Sequence, residues 1–195
     1  MKLKRFEIAL ALGLLFCILT AAMTTGTQAG LSGKLVRLHI LANSDSEADQ
    51  AIKLAVRDRL LTEADFSDGD ITAERLARLE AIAQDELARL GSAYSATVSR
   101  AWMYFDTREY EGFALPAGYY DAVRVVIGAG EGRNWWCVMY PGLCNGASET
   151  ELADAAYAAG FTDDELSFIR QDGTTYVVRF KLAEIAGRIR GFWAE

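Results

Sequence analysis

Apolar residues in this chain change their spacing near Ser92, and that change constrains the fold more than any motif does. Before it they recur every three or four positions; after it, every second. Ala48, Ile52, Val56 and Leu60, with Ala55, predict the buried stripe of one helix. Leu76, Leu79, Ala83, Leu87 and Leu90 predict a second, from about residue 72 to 90, with Gly91 just past its end. Ser44 with Glu47 has the spacing of a capping box, as does Thr162 with Glu165. Alternation predicts strands over residues 34–42, 94–105, 119–127 and 134–140, and another in "TYVVRFKLA". "DTREYEGFALPAG" between the second and third reads as irregular. The strand at 134–140 is apolar on both faces, which predicts a central position. Short helices are expected near residues 149–159, after Thr162 and over residues 184–193. The class is α+β: a largely antiparallel sheet with helices packed mainly on one face.

The amino terminus sets the compartment. Lys2, Lys4 and Arg5 precede the apolar residues 8–23, and the small polar "TTGTQAG" follows. That is the layout of a signal peptide, with cleavage expected after Ala29. The alternative is an uncleaved anchor holding the chain to a membrane through residues 8–23. Residues 1–29 are therefore expected to be a signal peptide or membrane anchor. Residues 30–195 are expected to form a single extracytoplasmic α+β domain, secreted or membrane-anchored.

The chain carries a net charge of −7, and removing Lys2, Lys4, Arg5 and Glu7 takes away a net +2 and leaves −9. No basic cluster offsets that acidity, which excludes nucleic acid as an expected partner. Once Cys17 leaves with the signal, Cys137 and Cys144 remain. On the oxidising side of a membrane two such cysteines are expected to pair. Pro141-Gly142 turns the chain between them, and closing so short a loop stabilises by about 2.5 kcal/mol in the chain-entropy picture.

His39 is the only histidine, which limits the catalytic options. A Cys137–His39 pair oriented by Asn43 would make an exported cysteine-dependent hydrolase, provided the thiol stayed reduced. That is the alternative function. Ser44 beside His39 is accounted for as a helix cap. No Cys or His spacing supports zinc, and no metal or other cofactor is expected. "GAGEG", residues 128–132, lacks the Lys-Ser/Thr of a phosphate loop and precedes a strand, so it reads as a hairpin turn. "DFSDGD" fails as a calcium loop, because Ala64 and Phe66 fall at ligand positions. No small-molecule substrate is indicated.

Arg37, Arg100, Arg124 and Arg179 each stand among apolar residues in an expected strand. In a sheet with one covered face they would gather on the other. Eleven of the 21 aromatics lie between Tyr94 and Tyr140. Arginine mixed with Trp and Tyr suits a protein-binding surface; the plainer reading is core aromatics and internally paired arginines.

"RLHILANSDSEADQAIKLAVRDRLL", "YFDTREYEGFALPAGYYDAVRVVIGAGEGRNWWCVMYPGLC" and "VRFKLAEI" resemble the stage II sporulation protein R family over nearly all of residues 30–195. The second block has Tyr140-Pro141-Gly142 where the family more often has Phe-Pro-Pro. The resemblance implies a signal and not an enzyme. Such a protein is exported from the forespore into the intermembrane space of an endospore-forming bacterium. There it activates a membrane-embedded aspartic protease, which processes pro-sigma-E. The family supplies no catalytic residues. The expected contacts with the protease are Arg37, His39, Asn43, Ser44, Asp45, Arg124, Trp135 and Trp136.

Overall fold

The computed structural model describes residues 4–64, 69–110, 112–143 and 149–170. Cys144, Arg179, the strand expected in "TYVVRFKLA" and the helix expected over residues 184–193 lie outside the described residues. The chain divides into two compact units.

One unit comprises Ser32–Met103 and Tyr119–Thr162. Its elements run β1 (Val36–Leu41), α2 (Glu47–Glu63), α3 (Ala73–Arg89), most of β2 (Ala96–Phe105) and of β5 (Gly118–Ile127), β6 (Asn134–Tyr140) and α4 (Glu149–Ala158). The other comprises Met1–Leu31, Tyr104–Gly118 and Asp163–Glu195. It holds most of α1 (Arg5–Ser32), the hairpin β3 (Arg108–Tyr110) and β4 (Phe113–Leu115), and α5 (Asp163–Ile169).

The class is α+β, with a four-stranded sheet in the order β2-β5-β1-β6. At its centre β1 and β5 run parallel, with Arg37 opposite Ala122 and His39 opposite Arg124. β1 and β6 run antiparallel, with Leu38 opposite Cys137 and His39 opposite Trp136, and the register shifts between Val36 and Arg37. Gly128 N–H donates to the Ser95 carbonyl and the Arg100 side chain reaches Asp121, so β2 and β5 also run antiparallel. Among the described residues β6 lies at one end of the sheet, not at its centre. Apolar residues on both faces of a strand record burial on both faces; they do not report how many neighbours its backbone has.

Alternation splits the sheet's side chains cleanly. Val36, Leu38, Ile40, Val123, Val125, Ile127, Cys137 and Met139 join Ala96 and Val98 in one buried cluster with Val56, Leu60, Leu79, Ala83 and Leu87 of α2 and α3. Burying each Leu or Ile fully contributes on the order of 2 kcal/mol. The opposite face carries Arg37, His39, Ala122, Arg124 and Trp136.

The helix ends follow local chemistry. Thr72 caps α3 by accepting from Arg75 N–H, and Gly91 follows at φ +67, a conformation glycine tolerates best. The cap of α2 is Ser46, which accepts from Asp49 N–H; the expected cap, Ser44, is engaged elsewhere. The α2 stripe is also rotated from expectation: Asp49 and Lys53 are buried beside Val56 and Leu60, while Ala48 is exposed.

In the second unit, the stretch read as irregular is a hairpin. Tyr110 faces Phe113 across it, with their rings stacked at 4.7 Å. Gly112 sits at φ +80 in its two-residue turn. Three-residue strands are too short to show a period. Helix α1 continues through Ala29 and Gly30, and its apolar side chains Phe6, Ile8, Leu10, Leu12 and Phe16 are exposed. Among the described residues no helix is long and apolar enough to cross a membrane.

Candidate contact site

The loop after β1 and the turn after β5 leave the same end of the sheet, because those strands are parallel neighbours. Asn43 joins them. Its Oδ1 accepts from Ala129 N–H at 2.9 Å, and its carbonyl accepts from Glu131 N–H at 3.1 Å. The Ala42 carbonyl accepts from Gly132 N–H, and Asp45 Oδ1 accepts from Arg133 N–H at 2.6 Å. Lys53 reaches from α2 to donate to the Arg133 carbonyl at 2.9 Å.

Asp49 anchors this lock from the first turn of α2. Its carboxylate accepts from Ser44 Oγ at 2.5 Å and Asn43 Nδ2 at 2.9 Å. Asn43 also donates to the Tyr94 hydroxyl at 3.1 Å. Asp49 is 6% exposed. The hydrogen bonds from Ser44 and then Asn43 hold its carboxyl below the usual carboxylate range, outweighing the opposing effect of burial. The same carboxylate pushes the Tyr94 phenol up. Burial, and then the nearby Arg133 charge, pull the Lys53 ammonium down.

The glycines of "GAGEG" follow from this close approach. A Cβ on Gly132 would stand 2.1 Å from the Ser44 carbonyl oxygen, and one on Gly128 would stand 2.3 Å from Asn43 Oδ1. The loop is glycine-rich because another loop lies against it.

The expected contact residues thus separate into three groups. Arg37 is 0% exposed, with its guanidinium 5.2 Å from the Tyr120 ring centroid and Nε 3.4 Å from the Cys137 carbonyl. His39 is 3% exposed and stacks on Trp136 at 3.8 Å. These two side chains lie inside the folded chain and offer no surface for a partner to touch. Asn43 and Ser44 are half-buried members of the lock. Asp45 remains open to solvent, as do Arg133 and Asn134, which are not among the expected contacts. Beside them Arg57 lies 5.2 Å from the half-buried Trp135 ring. Charged residues flanking a glycine turn were the available signal; their exposure needed the fold.

The four-arginine face does not assemble as expected. Arg37 and Arg124 share a face, with Arg124 half-buried. Arg100 has the parity of Ala96 and Val98, which point to the α2–α3 side, and it is bridged to Asp121. The hydrolase alternative also fails on geometry. Cys137 pairs with Leu38 and is buried with the α2–α3 core, whereas His39 pairs with Trp136 on the opposite face of the sheet. A sheet separates the sulfur from the imidazole, so they cannot act as a nucleophile–base pair.

A family model described as stage II sporulation protein R matches residues 32–150, which takes in the whole four-stranded sheet and the lock. Stage II sporulation protein R of Bacillus subtilis (strain 168) is 34% identical, across 69% of this chain and 66% of its own length. The chain thus spans just under two thirds of that relative. No solved structure matches. With the family match covering more than half of its residues, this chain belongs to the stage II sporulation protein R family.

Proposed function

We infer that this protein is a non-catalytic signal in endospore formation. It is exported from the forespore into the intermembrane space and activates a membrane-embedded aspartic protease that processes pro-sigma-E. Family membership is the single observation that carries this reading. The separation of Cys137 from His39 by the sheet supports it, since it removes the thiol-hydrolase alternative.

The apolar side chains exposed along α1 suit a signal or anchor segment, which has no aqueous surface to keep. Cys137 and Cys144 form the staple of the β6 hairpin in this reading. Leu143 N–H donates to the Val138 carbonyl at 3.2 Å, closing the turn that leaves β6.

Activation works by preferential binding to the protease's active state, since equal affinity for both states shifts nothing. The contact is the rim of Asp45, Arg133, Asn134 and Trp135, held in place by the Asn43–Asp49 lock. Arg37, His39, Arg124 and Trp136 support the sheet beneath it.

The test is co-expression of this chain, its candidate protease and pro-sigma-E in a non-sporulating host. Processing should depend on export of this chain. Arg133→Glu should reduce it while leaving the thermal unfolding midpoint in place. Processing without export would overturn the signal reading, and full processing by R133E would remove the rim from it.

A further inference from the structure

The bond expected to be cut on export, Ala29–Gly30, lies inside helix α1, which runs unbroken to Ser32. The local sequence does not favour a helix there. Residues 24–32, "TTGTQAGLS", contain three Thr and two Gly, types that rank low in helix propensity. Packing holds the end of the helix instead. Leu31 is 0% exposed and Ser32 6%. Gly30 lies against α5, in the same compact unit: a Cβ built on it would stand 2.9 Å from Glu165 Oε1, and Glu165 is itself buried. The smallness of Gly30, which suits a cleavage site, also suits this close approach.

A protease acts on chain that is extended and reachable on both sides of the bond it cuts. In α1 that stretch is coiled, with each amide bonded four residues back. The two residues that follow Gly30 are buried. Cleavage of the folded chain therefore requires the end of α1 to leave α5 first, and that opening exposes Leu31 to water.

We propose that folding protects the Ala29–Gly30 bond, so that the chain, once folded, keeps α1. The exported form is then the anchored one and not the released one. From Met23, the last of the apolar residues 8–23, to Leu31 is eight residues, about 12 Å of helix. The folded part thus begins close to the apolar segment, and the signal acts from a membrane without diffusing away. The proposal rests on the export reading only for this consequence. The protection concerns a single bond in the chain and stands or falls whether or not the rim of Asp45 and Arg133 meets the protease.

The test compares two substrates of a purified bacterial signal peptidase, with products identified by mass spectrometry. One is the full-length protein in detergent; the other is a synthetic peptide of residues 18–40, which contains the same bond without α5. The peptide should be cut between Ala29 and Gly30, and the protein at least about a hundredfold more slowly, because only its opened form is a substrate. Leu31→Ala should speed cleavage of the protein by about tenfold and leave the peptide's rate unchanged, with far-UV circular dichroism confirming that L31A folds. Equal rates for protein and peptide overturn the proposal, since the fold then protects nothing. A peptide that is left uncut, or cut only at another bond, overturns it too, because the resistance would then belong to the local sequence. So does an L31A protein that folds and stays as resistant as the parent.

Discussion

The two faces of the β1–β5–β6 sheet are both buried, yet they are built on different principles. The α2–α3 side is filled by Val, Ile, Leu, Cys and Met, where shape and area decide stability. The other side buries Arg37 against Tyr120 and His39 against Trp136, where a cation and flat rings must meet in fixed geometry. The first kind of packing tolerates exchange among apolar residues; the second requires particular partners. Polar residues in a strand can therefore serve the interior, and their presence does not by itself mark a contact surface.

The largest effect expected is at adjacent positions on opposite faces. Leu38→Ala should lose about 3 kcal/mol in urea unfolding, and Arg37→Ala as much or more, because it also removes the Tyr120 contact. A loss under about 1 kcal/mol for R37A would show that its face is a surface, and the contrast between the faces would collapse. Gly132→Ala should lose about 2 kcal/mol, since its methyl group meets the Ser44 carbonyl. An unperturbed G132A would mean that the two loops are not locked.

Asp49 gives the lock a pH dependence. Its folded pKa is depressed, so its contribution is present above the unfolded value of about 4 and is lost as pH falls through the lower folded value. Asp49→Asn should be less stable than the parent at pH 7, and the two should converge below about pH 4. A constant gap would place the proton elsewhere. Smaller still, a double-mutant cycle of H39A and W136A should give a coupling of about 1 kcal/mol for the stacked rings. Arg100→Ala, at a largely exposed ion pair, should change stability by less than about 1 kcal/mol.

Much of the fold was legible in the residues. The period change near Ser92 separated α2 and α3 from the later strands, and β6 was read over the residues it occupies. The cap of α2 was misplaced because "NSDSEADQ" offers two serines with an acid three residues on. Ser44 bonds to Asp49, and Ser46 takes the cap. Only the approach of the residue 128–133 turn distinguishes the two roles. For the candidate site, Asp45 and Trp135 were named from the family resemblance, and that one is exposed and the other half-buried needed the fold; the burial of Arg37 and His39 was not legible.

By itself the sequence determined the α+β class, the order of the longer helices and strands and the family, because periodicity, caps and residue identity are properties of the chain. The tertiary structure decided that β1 lies between a parallel and an antiparallel neighbour. It also decided which serine caps α2, and that His39 and Cys137 are kept apart. Those outcomes depend on contacts between residues distant along the chain. Strand alternation fixes only that neighbouring side chains point opposite ways; pairing and register decide what each one meets.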